Sequence, residues 1–79
     1  MLLEAIRRRI RELCAERGIT INKLATVCGI TQSTLNNILT RDNTKPTVST
    51  IKKICDGLDI TLVDFFSPEY FLKLDQEIN

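Results

Sequence analysis

The sequence predicts an all-α protein, a compact bundle of about five short helices, and three observations carry that expectation. Apolar residues recur at the 3.6-residue spacing of a helix in segment after segment. Threonines and glycines stand where such segments would begin and end. Nowhere do apolar and polar residues alternate as they do along a half-buried strand, and no internal repeat emerges.

Leu2, Ile6, Ile10, Leu13 and Cys14 form the first apolar stripe, with arginines between them, so residues 3–17 read as an amphipathic helix ended by Gly18. Thr20 is placed to cap a short second helix whose inner face is Leu24, Ala25 and Cys28, and which stops at Gly29. Thr31 then caps a third, "TQSTLNNILT", with Leu35, Ile38 and Leu39 turned inward. The run "RDNTKP" has turn-forming Asp and Asn ahead of Pro46 and reads as a loop. Thr47 caps a fourth helix with Val48, Ile51, Ile54, Cys55 and Leu58 on one face. Thr61 and Asp64 resemble a capping box before the oily Leu62, Phe65 and Phe66. Residues 1–66 are thus expected to be one domain, and the tail 67–79, rich in Tyr70, Phe71, Leu72, Leu74 and Ile78, to dock or to dimerise.

A chain of 79 residues builds a single modest core, and its 43% hydrophobic and 27% charged composition is that of a globular protein. No run approaches the roughly eighteen apolar residues of a membrane span, and no secretory signal opens the chain, so a cytoplasmic protein is expected. Cys14, Cys28 and Cys55 are an odd number with no C-x-x-C pair, and their apolar neighbours assign them to the core. Histidine is absent, and no serine–base pair or glycine-rich phosphate loop is present. An enzyme, a metal, a cofactor and a small-molecule effector are therefore not expected. The charges are uneven. Residues 1–53 carry ten Lys and Arg against four acids, a net +6, whereas residues 54–79 carry one Lys against six acids, a net −5. That asymmetry suits a polyanionic partner, although Arg7, Arg8, Arg9 and Arg11 are equally explained as a solvated helix face, with Arg7 or Arg11 free to pair with Glu4 or with the acidic second half.

Two short helices joined through Gly29, Ile30 and Thr31 match the arrangement in which a second helix enters the DNA major groove, with Ile30 turned inward to anchor the crossing. The stretches "INKLATVCGITQSTLNNIL" and "KPTVSTIKKICDGLDITLVDFF" resemble the lambda-repressor and Cro type of helix-turn-helix, the XRE-like family, across about residues 5–66. The resemblance implies sequence-specific binding of double-stranded DNA and control of transcription in bacteria, phages or mobile elements, most simply as a repressor. It implies base reading by Gln32, Ser33 and Asn37, with Asn36 a neighbouring candidate. The chemistry agrees, because Gln and Asn both donate and accept, as bidentate contact with adenine requires. Asn22, Lys23, Thr31, Thr34, Arg41, Asn43 and Lys45 are the candidates for phosphate contact. Many members carry glutamine where Ile21 stands, glutamate at Leu39 and glycine at Arg41; here the phosphate contact at 21 is expected to be missing and Leu39 to join the core.

One such domain covers about half a site, so a homodimer on a pseudo-palindromic operator is expected. The alternative is a protein-interaction module on the same fold, an antitoxin or anti-repressor, motivated by the near-neutral net charge and the oily tail. The polar helix itself favours readout. Six Thr, Ser and Asn residues in "TQSTLNNILT" cost about a few tenths of a kcal/mol each against alanine, a penalty that solubility alone does not explain.

Overall fold

The computed structural model describes residues 1–76. Five α-helices follow in order: α1 (Leu2–Arg17), α2 (Ile21–Cys28), α3 (Gln32–Thr40), α4 (Val48–Leu58) and α5 (Leu62–Phe65). A 3-10 turn at Glu69–Phe71 comes after them, and no strand occurs among the described residues. None of these helices is long and apolar enough to cross a membrane.

Four helices begin the same way. The hydroxyls of Thr20, Thr31, Thr47 and Thr61 accept the backbone N–H of Lys23, Thr34, Thr50 and Asp64 at 3.0, 3.1, 3.1 and 3.0 Å. Each bond satisfies one of the orphan donors of a helix start and contributes about 1 kcal/mol. At Thr61 the bond is reciprocated, since Asp64 accepts the Thr61 N–H and completes a capping box.

Three helices also end the same way. Gly18, Gly29 and Asp59 adopt left-handed conformations, and the next residue donates its N–H back into the last turn: Ile19 to Cys14, Ile30 to Ala25 and Ile60 to Cys55. In each case the following isoleucine is half-buried and packs on the core, the apolar contact that accompanies this kind of ending. Asp59 is the one non-glycine among the described residues with a positive φ, 57°, so α4 runs past Gly57 and stops without a glycine.

The core gathers Ile10, Leu24, Leu35, Ile54, Cys55 and Phe65, all fully buried, with Leu39 buried beside them. Cys14, Cys28 and Cys55 are buried free thiols, and burial pushes each above the usual thiol range, Cys28 to about 11. The Cys28 thiol donates to the Ile54 carbonyl at 3.6 Å across the α2–α4 contact. Gly57 sits at that contact, half-buried against the backbone of Cys28.

Beyond α5, Phe66 and Phe71 pack edge to face with ring centroids 5.0 Å apart, and Phe71 lies against the core. Tyr70 lies over α1, its hydroxyl donating to Glu12 at 2.5 Å while the Arg8 guanidinium stands 4.2 Å above its ring. The Tyr70 hydrogen bond, with the neighbouring Arg8, holds the Glu12 carboxyl below its usual range. Burial and the Glu12 contact raise the Tyr70 hydroxyl to about 12. Ile78 lies outside the described residues.

Of the α1 arginines, Arg8 and Arg11 are exposed as a solvated face would be and Arg7 makes the expected pair with Glu4, but Arg7 and Arg9 are drawn into the fold. Arg7 is 6% exposed, pairs with Glu4 at 2.8 Å, and donates to two backbone carbonyls at the end of α3. Arg9 donates to the carbonyls of Asp64 and Phe65, Arg11 to that of Leu39, and Arg17 to that of Leu58. Helix C-termini concentrate unsatisfied carbonyls and partial negative charge, which is where guanidinium groups are stabilised. Much of the positive charge of the first half therefore holds the bundle together.

Candidate nucleic-acid interface

α2 and α3 meet through a turn of three residues. Gly29, at φ 69°, lets the chain reverse without a Cβ clash, Ile30 packs inward, and Thr31 returns to extended backbone to cap α3. Leu35, Ile38 and Leu39 then face the core, and this leaves Gln32, Ser33, Asn36 and Asn37 exposed to solvent. At about 100° per residue, Gln32 lies above Asn36 and Ser33 above Asn37, so the four form two adjacent rows on one face. Among the described residues their side chains take part in no intramolecular hydrogen bond, so their donors and acceptors are free for an external partner.

The phosphate candidates divide into two groups. Thr34, Arg41, Asn43 and Lys45 line one open cleft of about 470 Å³ between the end of α3 and the start of α4, and Asn37 from the outward face of α3 lines it too. Asn22 and Lys23 lie apart from that cleft, exposed in the first turn of α2, and Thr31 is exposed at the cap of α3. The hydroxyls of Thr31 and Thr34 are 2.8 Å apart and bond to each other. Thr47, expected only to cap α4, and Thr50, which the sequence did not single out, line the same cleft, and Thr44, also in its lining, donates to the Asn37 carbonyl at 2.8 Å. The available signal was the threonine pair spaced as a cap immediately after Lys45 and Pro46.

Charge sharpens the site. Lys23, Arg41 and Lys45 are exposed, and among the described residues their side chains form no ion pair or hydrogen bond. Lys52, by contrast, is paired with Asp56. Of the uncommitted cations, Arg41 and Lys45 line a cleft with Asn37 of the uncharged, amide-rich face, and Lys23 stands in the first turn of α2. Exposed, unpaired cations of this kind suit a polyanionic partner.

Comparison with known proteins agrees with this geometry. The model of the Cro/C1-type HTH DNA-binding domain family matches residues 9–69, which include α2, α3, α4 and α5. Over 59 residues the chain is 34% identical to the HTH-type transcriptional regulator SutR of Escherichia coli (strain K12), an alignment that covers 75% of this chain and 33% of that protein. The chain thus spans about a third of the length of the curated relative it matches. The crystal structure of the prophage Lp1 protein 11 superposes with a TM-score of 0.81 at 33% identity, covering 91% of this chain and 95% of the other.

Proposed function

The chain belongs to the Cro/C1-type helix-turn-helix DNA-binding domain family, and from that membership we propose that it regulates transcription by reading double-stranded DNA with α3 in the major groove. The observation that carries the proposal is the outward face of α3. It presents Gln32, Ser33, Asn36 and Asn37, exposed and without internal partners among the described residues, with Arg41 and Lys45 sharing a cleft with Asn37 and Lys23 exposed at the start of α2. Gln32, Asn36 and Asn37 take the adenine-reading role that amides serve, and Ser33 accepts or donates to a neighbouring base. Asn22, Lys23, Thr31, Thr34, Arg41, Asn43 and Lys45 meet phosphate and set the register of the helix.

One reading helix covers about half a site, so the protein acts as a homodimer on a pseudo-palindromic operator with half-sites roughly 34 Å apart. Repression is the simplest outcome for so small a domain, because occupying a promoter requires no further activity. Relatives from a prophage and a bacterium support a bacterial, phage or mobile-element setting.

Selection of duplexes from a random pool, with the bound species sized by gel filtration, tests the proposal. A two-fold motif bound by a dimer is expected; no enrichment in low salt would overturn it. On the selected operator, Gln32→Ala should cost about 1–3 kcal/mol and relax preference at one base step. Titration of single-base variants of the operator measures this, and unchanged preference at every step would remove Gln32 from the reading surface. Lys45→Ala should instead weaken operator and scrambled duplex alike. It should also flatten the dependence of log affinity on log salt by about one for each phosphate no longer neutralised, and a slope equal to that of the unaltered chain would exclude the contact.

A further inference from the structure

We propose that Arg7 is the positioning residue for DNA reading: from α1 it fixes the last turn of α3 and the start of the phosphate-facing loop. The proposal rests on α3 being the reading helix. Its starting observation is how differently α3 ends. α1, α2 and α4 each stop with a left-handed residue followed by an inward isoleucine, whereas α3 stops at Arg41 in extended backbone, φ −96° and ψ 130°, followed by Asp42. That ending leaves the Ile38 and Leu39 carbonyls of α3 without the backbone bonds a left-handed cap returns, and the Arg41 carbonyl just beyond them accepts only the Thr44 N–H at 3.3 Å from the backbone.

Arginines from α1 supply those bonds. Arg7 Nε donates to the Ile38 carbonyl at 2.6 Å and Arg7 Nη2 to the Arg41 carbonyl at 2.6 Å, with Arg11 Nη2 reaching Leu39 at 3.5 Å. The third edge of the Arg7 fork is held by Glu4 at 2.8 Å. A planar guanidinium bound on three edges fixes direction as well as distance, which an ammonium on a flexible stem does not. The two carbonyls it joins bracket the chain from Ile38 to Arg41. Asn37 immediately precedes that bracket, and its own carbonyl receives Arg41 N–H and the Thr44 hydroxyl. Movement of this turn therefore shifts Asn37, Arg41 and the cleft together. Arg7 itself is buried, so it touches no phosphate.

The test compares the unaltered chain with Arg7→Met, Arg7→Lys and Glu4→Gln. Affinity for the selected operator and for a scrambled duplex is measured across a salt series, together with amide hydrogen exchange. For Arg7→Met the ratio of operator to scrambled affinity should fall about tenfold, the weight of one well-aligned base contact. Scrambled-duplex affinity and salt slope should be unchanged, and faster exchange should be confined to residues 38–44. Arg7→Lys and Glu4→Gln should show the same pattern with smaller losses. Equal losses on both duplexes with a flatter salt slope would make Arg7 a phosphate contact and overturn the proposal. Exchange accelerated throughout the bundle in all three variants would make it a general folding residue, and an unchanged ratio would deny it any positioning role. If the unaltered chain selects no duplex, the DNA reading fails and this proposal with it. If the chain selects one and Arg7→Met keeps the ratio, only this proposal fails.

Discussion

Phe65→Ala is expected to bring the chain close to its unfolding midpoint at room temperature. Phe65 is fully buried in a helix of four residues, with the Phe66 ring 4.9 Å away edge-on and the Phe71 ring 6.4 Å away. Truncating a buried phenylalanine costs about 3–5 kcal/mol, through forfeited transfer energy and the cavity left behind. A domain of this length has only about 4–12 kcal/mol in total. So short a helix offers few other contacts to hold the site closed, and Arg9, which donates to the Phe65 carbonyl at 2.8 Å, would lose the position of its acceptor. Thermal denaturation followed by circular dichroism should show the midpoint falling by about 15–30 °C. A drop of less than about 5 °C would mean that α5 does not close the core.

Gly57→Ala should also destabilise the protein, and here the sign is the informative part. In the middle of an exposed helix this exchange gains about 1 kcal/mol, since alanine is the better helix former. At Gly57 a Cβ would stand 2.5 Å from the Cys28 Sγ and 2.9 Å from the Cys28 Cα. The first contact can be eased by rotating the thiol; the second is with backbone and requires α2 and α4 to move apart. Overpacking of this kind costs up to about 3 kcal/mol, so a net loss near 2 kcal/mol is expected. Cys28→Ala made alongside should recover only part of it, because the backbone contact remains. Urea titration of the single and double variants checks both statements, and a Gly57→Ala chain at least as stable as its parent would refute the close packing of the two helices.

Most of the helical frame was legible because its signals are local. Thr20, Thr31, Thr47 and Thr61 each act within three residues, and each caps the helix that the apolar spacing indicates. The ends at Gly18 and Gly29 were equally plain, whereas Asp59 concealed the third, because only tertiary packing of Ile60 makes a left-handed aspartate worthwhile there. The Arg7–Glu4 pair was legible as a local spacing, but the backbone partners of the α1 arginines were not. Their acceptors lie 28 to 56 residues away in the sequence for Arg11 and Arg9, so a count of charges assigned to the surface what the fold uses internally. Nothing local marks Gly57 as a contact, because its close neighbour Cys28 is brought there only by the packing of α2 on α4. In the candidate site, the outward residues of α3 follow directly from subtracting its apolar stripe. The union of Thr47 and Thr50 with Asn37 and Arg41 does not, because it depends on the path of the loop between α3 and α4.

The side chains of Gln32, Ser33, Asn36 and Asn37 point away from the bundle and bond to nothing within its described residues. What holds α3 in place lies elsewhere: the Thr31 cap, the stripe of Leu35, Ile38 and Leu39, and the guanidinium of Arg7. The outward face of α3 is therefore separable from the contacts that seat the helix. If α3 reads DNA as proposed, exchanging those four side chains would alter which duplex is preferred while changing stability only by the helix propensities involved, about a few tenths of a kcal/mol each.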